Sequence, residues 1–482
     1  MIAVPPVDLA LIAPELIVFG VALVVLLADL WLPPERRNLL VGASVLGVLW
    51  AAWAGIGAPD GAAFSGMYVR DALTRVTQTL VLIVTGLGVV IAPEYLRRSQ
   101  LERGEYYVLV LVAGAGAMLM AASHDLLMLF LALETLSIPL YVLAASGRGN
   151  VRSQEAGMKY FLLGAFASAF FLYGIALLYG VTGTTRLPEM GRALARTLDV
   201  SAAAGIGLLT IGLGFKAALV PFHAWAPDVY EGAPIPAAAF MSVVAKIGAF
   251  AALLRVFPFS LGSLAGQWGP VLGILAAATM LVGNLAALAQ SSYKRMLAYS
   301  SIAHAGYLLV GVATGTPAAT AAVASYLVVY AAMTTGAFAV AIAIERSGQE
   351  ADQIADYTGL AGRAPLLAVA TALFMISLAG LPPTAGFVAK LAIFAAAVEG
   401  GGTPGLLLAL LGVLTSVVSV YYYLRVAYVM FAGEQSPTVR LHASPLVNAA
   451  LVVAAAAVVQ IGILPAPITT FVQQIGALLG RP

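Results

Sequence analysis

Four of the five lysines in this chain, Lys159, Lys216, Lys246 and Lys390, stand inside long apolar runs, and only Lys294 reads as a loop residue. Soluble proteins spend lysine on their surfaces; here arginine fills the polar stretches and lysine is nearly confined to apolar ones. An acid is placed likewise, Glu134 in "LLMLFLALETLSIPLYVL", and so are two histidines, His223 in "FHAWAPDVYEG" and His304 in "YSSIAHAGYLLV". Amines, a carboxylate and imidazoles in apolar surroundings are groups whose proton affinity burial and neighbours can shift, which is the chemistry of proton transfer. A charge at the centre of a bilayer costs about 2.5–3.5 kcal/mol on insertion scales, so four such lysines require compensation, for which acids and water are the natural partners.

Each residue also has a plain structural reading. Lys159 stands two residues into its apolar run and can snorkel to the membrane face. His223 can satisfy carbonyls freed by Pro221, and Glu134 can bond a neighbouring helix. His124, in "ASHDLLM", suits a cap or a headgroup contact. Tyr421, Tyr422 and Tyr423 read as packing or an interfacial belt, with Arg425 beside them harder to dismiss. Asp228 and Glu231 read as surface or lateral-contact groups. The pattern as a whole, several buried ionisable groups around interrupted helices, points to an internal proton path.

The elements that must hold these groups follow from composition. Of 482 residues, 61% are hydrophobic and 10% charged, against roughly 25% charged in soluble domains. A spanning helix needs about 20 apolar residues. Such runs fall near 8–30, 39–56, 73–93, 105–122, 125–144, 157–180, 203–223, 235–256, 268–289, 299–315, 318–344, 365–398, 405–431 and 445–471, which predicts about 14 transmembrane helices in an all-α polytopic membrane protein. The joining segments are too short for a soluble domain, and no 10-residue alternation suggests a barrel. No basic stretch precedes the first run and no small-residue cleavage site follows it, so it reads as a retained span.

Spans 7 and 12 are defective in corresponding ways. The seventh carries Lys216 and is broken at Pro221; the twelfth, "LFMISLAGLPPTAGFVAKLAIF", is broken at Pro382–Pro383 and carries Lys390. Proline removes a helix hydrogen bond, and in lipid such a break survives only inside protein or beside water. Breaks five spans apart suggest two inverted five-helix repeats, spans 4–8 and 9–13, an arrangement whose site lies near the breaks. The expected organisation is therefore an N-terminal three-helix segment (1–104), a first repeat (105–256), a second inverted repeat (268–432) and a C-terminal helix (445–482). With the N-terminus outside, twelve basic residues fall in inner segments and six in or near outer ones, in line with the positive-inside rule. Both termini are then expected on the outer side of a bacterial inner membrane.

Other chemistries find no footing. The net charge of +2 gives no basic surface for nucleic acid, and the absence of cysteine leaves no thiolate for a metal or iron–sulfur cluster. No Walker A loop, dinucleotide fingerprint, G-x-S-x-G or H-E-x-x-H is present.

"APELIV" (13–18), "EAGMKYFLLGAFASAFFLYGIALLYG" (155–180), "FHAWAPDVYEGAP" (222–234), "QSSYKRMLAYSSIAHAGYLL" (290–309) and "SLAGLPPTAGFVAK" (377–390) resemble the N-type, antiporter-like membrane subunits of respiratory complex I, the proton-pumping NADH:quinone oxidoreductase. The resemblance covers nearly the whole chain. It implies fourteen spans in inverted repeats and a central axis of ionisable residues. Glu134 would be the acid of span 5, Lys216 the lysine of broken span 7, Lys246 that of span 8 and Lys390 that of broken span 12. Lys159 would lie across from Glu134, and His223 and His304 match less decisively. A lysine at 390, where M-type relatives carry glutamate, and an end at Pro482 without the lateral helix of L-type relatives both favour the N type. The resemblance implies no cofactor in this chain: NADH, FMN, iron–sulfur clusters and quinone belong to partner subunits. It also implies M-type and small membrane subunits as neighbours in the bilayer. Two other functions share the architecture, a subunit of a multisubunit Na⁺/H⁺ antiporter and the membrane arm of an energy-converting hydrogenase. A helical scaffold whose lysines only bind lipid or neighbours is the non-catalytic alternative.

Overall fold

The computed structural model describes residues 9–196, 198–346, 349–433, 439–442, 444–466 and 470. Eighteen α-helices follow one another among the described residues. The N-terminal group is α1 (Ala13–Asp29), α2 (Asn38–Gly57), α3 (Ala72–Val90) and the short α4 (Pro93–Arg98). Then come α5 (Gly104–Ala122), α6 (Leu126–Ala144), α7 (Val151–Thr182), the short α8 (Leu187–Leu194), α9 (Val200–Ala217), α10 (Trp225–Gly232) and α11 (Ile235–Leu254). The last group is α12 (Ala265–Leu288), α13 (Tyr293–Thr314), α14 (Pro317–Ile342), α15 (Pro365–Ala379), α16 (Ala385–Gly400), α17 (Gly402–Phe431) and α18 (Pro445–Ile463). Twelve helices among the described residues are long and apolar enough to cross a membrane. Three further segments are shorter: α1 with 17 residues, and α15 and α16 with 15 and 16. The C-terminal run expected to reach 471 is helical to Ile463, and residues 471–482, including Arg481, lie outside the described ones.

Helix starts correct two expectations. Apolarity alone starts the sixth span at 157 and the tenth at 299. Asn150, whose side chain accepts from Arg152 N at 3.0 Å, starts α7 at Val151. Ser292, accepting from Arg295 N at 3.0 Å, starts α13 at Tyr293. A capping side chain satisfies one of the orphan amides of the first turn and so fixes the start ahead of the apolar stretch. Lys159 therefore stands well inside α7 rather than two residues from its end. Lys294, expected in a loop, belongs to the first turn of α13 and is 3% exposed.

Three helices form the centre. Every residue of α11 is buried, and α13 and α14 are nearly so. A helix apolar on all sides has no polar face to give to water and belongs in the middle of a bundle. By contrast α2, α7, α17 and α18 keep most of their apolar surface outward, as spans facing lipid or neighbouring subunits do. Glycines set the closest approaches. A Cβ on Gly283 of α12 would meet Ala303 N at 2.5 Å, and one on Gly116 of α5 would meet Leu136 N at 2.4 Å.

The expected break in span 7 is the gap between α9 and α10, and that in span 12 the gap between α15 and α16. The two gaps have the same backbone plan. Each preceding helix is closed by a left-handed residue, Ala218 (φ +59°) or Gly380 (φ +82°). Three residues later comes a cis peptide bond, Val220–Pro221 or Pro382–Pro383. The second gap is tighter, because Gly386 opens α16 directly against α15: its amide donates to Ser377 Oγ at 3.1 Å, and an added Cβ would lie 1.7 Å from Ser377 O. A Gly386→Ala substitution is therefore expected to prise α16 from α15, by several kcal/mol on the scale of core overpacking. Its measure is the amount of this chain retained in detergent-solubilised membranes, and a variant retained at parental levels and melting temperature would refute the packing argument.

Candidate functional site

Each buried amine is matched to a feature of the breaks or of the central helices. Lys216 lies in the last turn of α9 and Lys390 donates to Ala379 O, the last carbonyl of α15, at 2.8 Å. The C-terminal end of a helix carries unsatisfied carbonyls and the negative end of the helix dipole, which favours a cation there. Lys216 Nζ also donates to the Tyr160 hydroxyl at 3.3 Å and lies 5.0 and 5.3 Å from the ring centres of Tyr160 and Tyr141. Lys390 Nζ lies 4.7 Å from the ring centre of Tyr307. Lys246, in the middle of α11, donates to Ser301 O at 2.6 Å and lies 5.5 Å from the centre of the Tyr330 ring. Among the described residues none of the three forms an ion pair with a carboxylate. The compensation expected from acids is supplied by carbonyl oxygens and by aromatic faces, whose quadrupoles attract cations.

Ser301, His304 and Tyr307 are three residues apart on α13 and so share one face of it. Lys246 meets this face at Ser301 and Lys390 meets it at Tyr307. Between them the fully buried His304 shares hydrogen bonds with the Tyr326 hydroxyl through Nδ1 (2.7 Å) and the Tyr423 hydroxyl through Nε2 (3.2 Å). Tyr423 also bonds Ser300, while Tyr330 donates to Ser301 Oγ at 2.9 Å. Tyr307 accepts from Asn284 Nδ2 at 3.0 Å, and Asn284 Oδ1 accepts from Tyr422 at 3.0 Å. From Ser301 to Tyr307 the rise along α13 is only about 9 Å, and hydroxyls and an imidazole occupy it throughout.

The other half is less continuous. Glu134, half-buried on α6, accepts from Ser168 of α7. Ser168 and Lys216 line one narrow gap with Tyr141 and Phe171, too tight to hold a water in this conformation. Between Lys216 and Lys246 stands an aromatic stack: Trp225 lies flat on Tyr160 at 4.2 Å and edge-on to Tyr230 at 6.0 Å.

Two expectations about placement are corrected. Lys159 does not face Glu134. It pairs with Glu155 of its own helix at 2.7 Å and with Asp228 of α10 at 2.8 Å, its side chain 42% exposed. About two and a half turns along α7 separate it from Ser168, so the helix carries the two residues at different depths and on opposite faces. Tyr422 and Tyr423, read as packing or an interfacial belt, are buried and bonded into the α13 cluster; only Tyr421 faces outward. His223 stands half-buried in the turn after Pro221, beside the Pro221 backbone, and among the described residues shares no hydrogen bond with Lys216, Lys246 or Lys390. His124 is buried against Phe259 at 5.0 Å, beside the Asp71–Arg255 pair. Asp228 and Glu231 both accept from Arg295, at 2.7 and 2.8 Å, and so tie α10 to α13. Arg425 donates to Gln290 O and holds the α12–α13 turn.

Sequence reasoning missed Lys294, Ser301, Tyr307, Tyr326 and Tyr330. The signal was available: Lys294, Ser301 and His304 are spaced seven and three apart, and Tyr326 and Tyr330 four apart, so that each set shares a helix face.

Residues 123–419 match the family described as NADH:quinone oxidoreductase/Mrp antiporter, transmembrane. The chain is thus an antiporter-like membrane subunit by fold and by family. NADH-quinone oxidoreductase subunit N of Chloroflexus aggregans is 46% identical over 491 residues, covering 99% of each chain. A chain of respiratory complex I from Thermus thermophilus superposes with a TM-score of 0.82 at 39% identity, over 95% of this chain and 98% of that one. A chain of the Mrp complex from Dietzia shares the fold, with a TM-score of 0.81 at 23% identity over 98% and 97% of the two chains. This chain belongs to the NADH-quinone oxidoreductase subunit N family.

Gly380 is where the second break bears on its lysine. A Cβ there would lie 2.7 Å from Lys390 Cδ and 3.1 Å from Nζ, on a backbone already in the left-handed region. Gly380→Ala is expected to displace Lys390 from Ala379 O and to lower proton transfer at least fivefold in an assembled complex. Ala218→Gly, which relieves the same backbone conformation in the first break by about 1 kcal/mol, is expected to leave it unchanged. Equal activity of the two variants would show that the amine's position against α15 is immaterial.

Proposed function

We propose that this chain moves protons across the membrane as the N-type subunit of a respiratory NADH:quinone oxidoreductase, driven by redox chemistry carried out in other subunits. NADH, FMN, iron–sulfur clusters and quinone are assigned to those partners. The chain's own task is to bind, hold and release protons along Glu134, Lys216, Lys246, His304 and Lys390. Lys159 and His223 flank this axis: Lys159 acts through Asp228 on the half-helix α10, and His223 at the turn of the first break. In the membrane α1 and the α15–α16 pair complete fourteen crossings, the two breaks occupy equivalent places in inverted repeats, and both termini face outward from a bacterial plasma membrane.

The observation that carries the reading is the α13 face. Lys246 meets it at Ser301, Lys390 meets it at Tyr307, and His304 stands between. A static scaffold has no use for two unpaired amines joined by exchangeable hydroxyls and an imidazole. Moving the charge on Glu134 alters the proton affinity of Lys216, and the proton then passes toward Lys246 once the Tyr160–Trp225 stack admits water. One pKa unit corresponds to about 1.4 kcal/mol and moving a charge against 100 mV takes about 2.3 kcal/mol, so changes of a few units suffice. The axis lies in separate hydrogen-bonded segments, Lys246 with Ser301 and Tyr330, and His304 with Tyr326 and Tyr423, which supports transfer that depends on water entering between them.

In the assembled complex, Lys216→Ala, Lys246→Ala and Glu134→Ala are each expected to reduce redox-linked proton transfer at least tenfold, measured as acidification of membrane vesicles on adding NADH. Undiminished transfer in the Lys246→Ala complex would end this reading. Transfer that requires Na⁺ would favour the antiporter alternative, whose fold this chain shares with the Mrp subunit.

A further inference from the structure

Outside the axis lies a polar cavity of about 620 Å³. It opens beside the arginine-rich loop before α7, at Arg148 and Arg152, and is walled by Leu101 and Ser99. Its floor is Pro234, at the start of the fully buried α11, together with Lys294 and Glu350. Glu350 collects donors from three elements: the Lys294 ammonium of α13, the Tyr95 hydroxyl of α4, and Ile235 N of α11 at 3.2 Å. Lys294 also donates to Ala233 O, where α10 ends, at 3.0 Å. The lysine side chain is 4% exposed and that of its acid 25%, so the pair divides the cavity from the interior.

Behind the pair the route is short. Ser301 follows Lys294 by two turns of α13, about 10 Å. Tyr230 of α10 lies near Ser301, and Ser301 O holds Lys246. Asp352 stands at the cavity side, accepting from Ser292 at 3.0 Å, and burial pushes its carboxyl above the ordinary range. We propose that this cavity is the inner-side intake for protons and that the Lys294–Glu350 pair is its gate; the inference rests on the axis described above. A proton arriving from cavity water adds to the Glu350 carboxylate and cancels the charge that holds Lys294. The ammonium swings away, water reaches Tyr230 and Ser301, and Glu350 returns its proton to that water before the pair closes again. The link to α10 through Ala233 ties the gate to movement of the broken seventh span.

Two measurements test this. Glu350→Gln keeps the shape and removes the charge. In the assembled complex it is expected to lower NADH-driven proton transfer at least tenfold, with the complex retained in the membrane; normal transfer would overturn the gate. The second measurement does not depend on that variant folding. The chain has no cysteine, so Leu101→Cys and Pro234→Cys each give it a single thiol, read by tagging this chain after a quaternary-ammonium methanethiosulfonate is applied to inverted or right-side-out vesicles. Both thiols should react from the arginine-rich face alone. A Pro234→Cys thiol that is silent, or reached only from the opposite face, would overturn the intake. Labelling is independent of pumping: normal transfer with Lys246→Ala would sink the axis, whereas silent labelling with an inactive Lys246→Ala would sink only the intake.

Discussion

The fold turns on a single pairing, an ammonium held against the carbonyl end of an interrupted helix. A lysine in lipid has no partner, and a helix broken in lipid leaves carbonyls with none. In this bundle the two needs answer each other at the second break, where Lys390 takes the last carbonyl of α15; at the first, Lys216 sits in the final turn of α9 and its ammonium donates to the Tyr160 hydroxyl. Neither amine is locked by a carboxylate. A carboxylate would hold the charged form through a strong ion pair, whereas the carbonyl, hydroxyl and aromatic faces found here are neutral partners.

The remaining architecture serves to keep that pairing away from lipid. The buried helices α11, α13 and α14 bring the lysine, the histidine and the tyrosines together, while α2, α7, α17 and α18 form much of the exterior. Ion pairs collect toward the ends of the helices, where partial exposure lowers the desolvation penalty: Asp228 and Glu231 on Arg295, Asp71 on Arg255, Glu350 on Lys294. Arg255 is fully buried where α11 passes into a π-helical turn, and its bidentate bond to Asp71 fixes the far end of the helix that carries Lys246. The bundle thus has charged clamps near its faces and soft, neutral-partner amines in its centre.

The sequence alone determined the solvent, the helical class, the places where helices must break and three of the buried amines, Lys216, Lys246 and Lys390, but not the burial of Lys294 or the exposure of Lys159. These follow from one-dimensional facts: apolar runs of spanning length, prolines that cannot continue a helix, and lysines with no polar neighbours in the chain. It also carried the family resemblance, through "EAGMKYFLLGAFASA" and "SLAGLPPTAGFVAK". The tertiary structure alone decided which groups meet. Ser168 rather than Lys159 reaches Glu134, because α7 starts at its Asn150 cap and sets the depth of each residue. Lys294 is buried because Ser292 starts α13 before the apolar run begins. Tyr326 and Tyr423 meet His304 because α14 and the distant α17 both pack against α13. Partnerships of that kind depend on depth and rotation of whole helices, which packing fixes and hydropathy along a single chain does not encode.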